Sequence, residues 1–142
     1  MRKILFRGKC ICDDKRNGYK KGEWIYGSLF IQPITNKVFI FDCVTDDKVS
    51  VNPETVGQCT RIKDYGGKYK AYEGDIVQDL DDGALGIIFW DEEEAGFMIE
   101  FDNVAVPVKN ISYYQVVGNK WDNPELFKEW KRQKENIENE RV

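Results

Sequence analysis

Glu73 and Asp75 flank Gly74 in the run Tyr72-Glu73-Gly74-Asp75-Ile76-Val77. Paired acids at this spacing can divide general acid and general base roles, or hold a cation between them. The same spacing suits a turn entering a strand, where glycine takes a backbone conformation other residues resist and the acids cap exposed amides. The turn is the favoured reading. A second group lies near the start of the chain, where Arg7 and Lys9 precede the aromatic stretch Trp24-Ile25-Tyr26. Cations among aromatics can contact phosphates and stack on nucleobases. Trp24, Tyr26 and Phe30 share one parity, as do Phe39 and Phe41 in the next apolar run. Such a face is expected to be core; exposed rings would form a patch needing a partner. The candidate interaction residues are therefore Arg7, Lys9, Trp24, Tyr26, Glu73 and Asp75.

Other chemistry is excluded by composition or spacing. The chain has no histidine, which removes the commonest general base, every Ser-His-Asp or Cys-His arrangement and every His-containing metal site. Of the four cysteines, Cys10 and Cys12 are closer together than a zinc knuckle requires, and Cys43 and Cys59 form no second close pair. Cys10, Cys12 and Cys43 fall at alternate positions of strand-like stretches and are expected to pack as small hydrophobes. Asp79, Asp81, Asp82 and Gly83 hint at calcium, but no acidic ligand stands twelve positions into a matching loop. Asp91-Glu92-Glu93-Glu94 reads as a solvated hairpin loop, with a phosphate-mimicking surface as its alternative. No catalytic, cofactor-binding or metal-ligating residue is assigned, and the expectation is a protein that is not an enzyme.

Length and charge bound the rest. The 142 residues are 42% apolar, 13% aromatic and 32% charged, enough for one packed domain or two small ones. The net charge of −4 is uneven: residues 1–23 sum to +5 and residues 71–110 to −10. Solvated faces explain this most simply; attraction between neighbouring subunits and contact with phosphates are the alternatives. Apolar runs such as Val38-Phe39-Ile40-Phe41 are too short to span a bilayer, and basic residues interrupt the N-terminal segment, so a cytoplasmic protein is expected.

The elements that must position these residues are mostly strands. Lys3 to Cys12 alternate moderately. Asp13 to Gly18 form a polar loop with an Asn17-Gly18 turn. Trp24–Ile31 and Val38–Val44 read as a hairpin, and Asp46-Asp47-Lys48 as a turn. Asn52-Pro53-Glu54 reads as a capped helical turn. A polar stretch follows, with Asp64 to Lys68 as a tight turn. Asp75–Leu80 and Ala84–Trp90 form a second hairpin, followed by strands over Gly96–Phe101, Val104–Val108 and Ser112–Val117. Asn123 as cap and Pro124 at the first position open a helix whose Leu126, Phe127 and Trp130 share a face. Its first two turns are expected to dock and the remainder to be solvated or frayed.

Several of these segments, in order, resemble the YopX family of phage and prophage proteins. They are Ile4 to Lys9, Trp24 to Leu29, Val51 to Gln58, Lys63-Asp64, Gly67-Lys68, Tyr72 to Val77, Gly86 to Ile88, Gly96-Phe97, Val117 to Asn119 and Asn123 to Leu126. Arg61 stands where that family tends to have glycine, Cys59 replaces an aromatic, and the turn over Tyr65–Ala71 is one residue longer. The resemblance implies a phage or prophage source, a host cytoplasm, an uncharacterised function, homo-oligomerisation, and a C-terminal half similar to SH3-type barrels. It supplies no catalytic residue. The expected architecture is mainly β: an N-terminal β subdomain with a central loop over 1–70, an SH3-like barrel over 71–122, and a helix and tail over 123–142. The expected function is a non-enzymatic, homo-oligomeric binding or scaffold module with an unknown protein partner. The alternative is a nucleic-acid-binding accessory protein using the basic N-terminal region, and no membrane partner is expected.

Overall fold

The computed structural model describes residues 1–102 and 104–140, with side chains as far as residue 136. Among these, the chain is mainly β, with two antiparallel sheets and one C-terminal helix. It divides into two compact units, Met1–Cys59 and Thr60–Val142, where the sequence suggested segments 1–70, 71–122 and 123–142.

The first unit holds β1 (Phe6–Lys9), β2 (Trp24–Ile31), β3 (Val38–Asp42), β4 (Lys48–Ser50) and the start of β5 (Gly57–Lys63). They lie in the order β4-β3-β2-β1-β5. The β2–β3 hairpin expected from Pro33 and Asn36 is present, with Asn36 at a positive φ of 58°. The first strand is shorter than the alternation suggested, although Cys10 still bridges to Val51. The third ends at Asp42, two residues before the expected Val44, because the Asp42 carboxylate gathers the next turn around itself. Asn52 accepts the Glu54 N–H at 3.1 Å and caps a 3₁₀ turn over Pro53–Thr55, with Pro53 at its first position. Cys10, Ile25, Ile40, Val49 and Val51 form this unit's core.

In the sequence, β5 reads as part of a polar stretch. Gln58, Thr60, Ile62 and Lys63 are partly or fully exposed, so its only buried positions are Gly57 and Cys59, and no apolar alternation announces it. Arg61 takes a φ of +66° within it, a left-handed conformation that glycine tolerates best. The resemblance noted above leads to the expectation of glycine at this position.

The second unit contains β6 (Lys70–Tyr72), which lies beside the end of β5. Thr60 Oγ1 donates to Ala71 O at 2.8 Å there. A five-stranded sheet follows, built from β7 (Asp75–Asp79), β8 (Leu85–Asp91), β9 (Gly96–Glu100), β10 (Ala105–Pro107) and β11 (Tyr114–Asn119) in the order β10-β9-β8-β7-β11. A 3₁₀ turn over Val108–Tyr113 returns the chain so that β11 pairs with β7. This meander is compatible with an SH3-like barrel, although the sheet is not closed: β10 and β11 stand at opposite edges.

Both faces of this sheet are covered, which explains runs of consecutive buried residues in β7 and β8. Val77, Ile88, Ile99 and Phe101 pack with Val108 and Ile111 on one side. Ile76, Leu85 and Ile87 meet Trp130 on the other, with Leu126 and Phe127 against them. Those three side chains belong to α1 (Pro124–Glu140), and burying them contributes on the order of 5 kcal/mol. The docked stretch is longer than expected. Gln133 Oε1 accepts the Leu85 N–H at 2.9 Å, and Lys134 Nζ reaches Glu100 Oε2 at 3.1 Å. Asn123 takes the expected cap position, its backbone O accepting the Leu126 and Phe127 N–H groups, while its side chain turns back and accepts the Asn119 N–H at 3.1 Å.

Candidate functional site

Strand register places four candidate residues on one face of the first unit's sheet. Arg7 stands opposite Tyr26 and Lys9 opposite Trp24; further along, Phe41 is opposite Ser28, and Phe39 opposite Phe30. Lys48 and Ser50 on β4 continue the same face. Because side chains alternate along a strand, Ile25, Ile40 and Val49 point the other way, into the core. The expectation that the aromatic parity is core is therefore corrected. Branched aliphatics fill the thin core of these short strands, and the broad rings take the opposite face. Tyr26 and Phe41 are 40% and 42% exposed.

The cations of this face lie over its rings. Arg7 Cζ is 4.5 Å from the centre of the Trp24 ring and Lys9 Nζ is 5.2 Å from it; Lys48 Nζ is 4.8 Å from the Phe39 ring. Arg7 is buried, so its charge is shielded from bulk water and held partly by the indole face. Phe30 packs edge-on to Phe41 at 5.8 Å and against Phe39 at 6.2 Å. The β2–β3 approach that brings these rings together depends on Gly27, because a Cβ there would overlap the Phe41 carbonyl. Phosphates, bases or apolar protein side chains all suit such a surface.

Glu73 and Asp75 belong to the second unit, Glu73 in the turn between β6 and β7 and Asp75 at the first position of β7. Asp75 is buried and accepts the Tyr72 N–H at 2.8 Å. Gly74 has a φ of +87°, donates to Ile88 O at 2.9 Å and accepts the Lys120 N–H at 3.1 Å. The Trp121 ring covers it so closely that no Cβ fits. The geometry is that of a strand-entry turn with an aspartate cap.

The remaining acidic motifs also sit in turns. Asp79 Oδ1 accepts the Asp81 N–H at 2.8 Å, and Gly83 has a φ of +77°. Asp91 Oδ1 accepts the Glu93 N–H at 2.9 Å, and Glu92, Glu93 and Glu94 are exposed. Among the described residues, no three His, Cys, Asp or Glu side chains are grouped to hold a metal ion. Cys10 and Cys59 are buried thiols, and burial pushes the Cys10 thiol up. Cys12 and Cys43 are exposed, contrary to the expectation that they pack as small hydrophobes: both lie in turns beyond the strand ends.

Two features escaped the sequence reading. Asp42, at the end of β3, accepts hydrogen bonds from the Tyr19 hydroxyl, the Val44 and Thr45 amides and the Thr45 hydroxyl. A groove in the second unit is lined by Tyr65, Asp79, Leu80, Asp81, Tyr113 and Tyr114. These residues come from three separate segments, so no local pattern joins them.

Taken together, these features define a mainly β protein whose first sheet carries aromatic rings and cations on one face, with Tyr26, Phe41 and Lys48 exposed there. The family model described as YopX protein matches residues 15–128, most of the chain, and the chain belongs to that family. No curated protein matches the sequence. Among the described residues, no helix is long and apolar enough to cross a membrane.

Proposed function

We propose that this chain is a non-enzymatic phage or prophage accessory protein of the host cytoplasm, acting as a homo-oligomeric binding module or scaffold. The observation that carries the proposal is the aromatic sheet face on which Tyr26, Phe41 and Lys48 are exposed and Trp24, Phe30, Phe39 and Lys9 half-buried. Aromatics and arginine are enriched at protein interfaces, and a contiguous apolar patch rimmed by charge marks an interaction site. Binding without catalysis is supported by the capping role of Asp75, whose carboxylate is engaged by its own turn.

A second reading, single-stranded nucleic acid on the same face, is favoured by the cations over the rings, since base stacking beside positive charge is sequence-tolerant. Light scattering on a sizing column, with absorbance at two wavelengths, separates the two. The scaffold reading expects a nucleic-acid-free oligomer at micromolar concentration that Phe41→Glu dissociates. A monomer without any captured partner overturns it. A peak carrying nucleic acid, shed at high salt, replaces it with the second reading.

A further inference from the structure

The groove in the second unit is built from rigid parts. Asp64 is buried and fixes one wall: its Oδ2 accepts the Val116 N–H at 2.9 Å and its Oδ1 the Tyr69 N–H at 3.3 Å. The adjoining Tyr65 N–H donates to Tyr114 O at 2.9 Å, tying the Tyr65 turn to β11. Tyr113 projects from the 3₁₀ turn whose Val108 and Ile111 are core residues. Tyr114 packs its ring 5.0 Å from Phe101. The Asp79 to Gly83 turn adjoins these tyrosines, Asp79 standing beside Tyr114 in the β7–β11 register, and the Asp79 carboxylate is held by the Asp81 amide. The resulting space is about 640 Å³, within the range of small-ligand and peptide sites.

Its lining is unusual for solvent-facing surface. Tyr65 is 58% and Tyr113 72% exposed, with Leu80 beside them. Asp79 and Asp81 add carboxylates to the same groove. We propose that this groove binds an extended, proline- and arginine-containing segment of a partner protein. Exposed tyrosine faces receive proline rings, as in other aromatic-lined grooves that take extended peptides. The carboxylates receive guanidinium groups. The same charges argue against other occupants. Phosphates would meet Asp79 and Asp81 in a segment of net charge −10. A second copy seated symmetrically would set carboxylates against carboxylates.

The test is fluorescence anisotropy of a dye-labelled synthetic peptide of alternating proline and arginine, titrated with the full chain. Peptides of alternating proline and glutamate, and of alternating alanine and arginine, serve as controls. The proline–arginine peptide is expected to bind, and both controls to bind about tenfold more weakly or less. Tyr113→Ala, at an exposed position, is expected to weaken binding about tenfold, as loss of an aromatic anchor does. Asp81→Asn is expected to weaken it about threefold, in line with an exposed ion pair. Tyr65→Ala provides an independent variant from a separate segment of the chain, with the same direction expected. Absence of binding, equal binding of the glutamate peptide, or binding that survives both tyrosine replacements overturns the proposal. The last outcome identifies a diffuse attraction between an acidic protein and a cationic peptide.

Discussion

Asp42 shows how one side chain can end a strand and set a pH dependence. It is only 2% exposed. Burial alone pushes its carboxyl upward, but hydrogen bonds from Tyr19, Val44 and Thr45 outweigh burial and hold it below the usual carboxylate range. The reciprocal effect on Tyr19 has the opposite sign: the hydrogen bond to Asp42, then burial, push its hydroxyl up to about 12. The signs follow from linkage. The Asp42 contribution is present above the unfolded carboxylate value of about 3.9 and is lost as pH falls through the lower folded value. The Tyr19 contribution is present below about 10 and is lost as pH rises towards 12. Tyr19→Phe is therefore expected to cost about 1.5–3 kcal/mol at neutral pH, as for a hydrogen bond to a charged group. Because it removes a donor that holds Asp42 ionised, it is also expected to make the loss of stability on acidification shallower, the folded carboxyl value moving up towards the unfolded one. Denaturant titrations from pH 3 to 7 check both, and an unchanged acid limb contradicts the account. In the sequence, Asp42 is only the polar end of an apolar run. Its partner Tyr19 lies across a loop, and nothing local links the two.

At the scale of elements, the apolar strands and the helix were legible, and the polar strand was not. Trp24–Ile31 and Gly96–Phe101 declare themselves by composition, whereas β5 buries little more than a glycine and a cysteine. Parity was legible too, but not its sense. β2 and β3 are apolar on both faces, so alternation identified the aromatic face without showing that the aliphatic one would be core. The helix start was read from Asn123-Pro124, yet the Asn123 side chain serves the preceding connection instead. What anchors α1 is Trp130, stacked on Phe127 at 5.9 Å and donating its indole N–H to Glu100 O at 2.9 Å. Trp130→Ala is expected to destabilise the second unit by about 3–5 kcal/mol. Trp130→Phe keeps most of the packing and should lose about 1 kcal/mol for the hydrogen bond. Thermal melts of the two variants measure the difference, at about 3 °C per kcal/mol for a chain of this size. Equal losses would mean that the indole N–H, and not ring packing, dominates the anchor.

At the scale of the whole molecule, charge and apolar surface must act together if the chain assembles. Residues 1–59 carry ten Lys/Arg against seven Asp/Glu, a net +3, and residues 60–142 carry eleven against eighteen, a net −7. The aromatic face lies on the positive unit. Covering the exposed parts of Tyr26 and Phe41 contributes about 1 kcal/mol each, and the half-buried rings bring the face to roughly 4 kcal/mol. A micromolar dissociation constant corresponds to about 8 kcal/mol, so apolar contact on this face falls short by itself. A symmetric pairing would also set Lys9 and Lys48 against their own copies. Attraction is available only if the basic face of one copy meets acidic surface of the next, a head-to-tail contact that closes as a ring when its rotation allows. The expected outcome is an oligomer larger than a dimer at about 50 mM salt whose mass falls towards 16.6 kDa at about 500 mM, where screening shortens to a few ångströms. Light scattering at the two salt concentrations decides it. A salt-insensitive dimer, still broken by Phe41→Glu, would instead show that the rings pair symmetrically and that the charge asymmetry has another use.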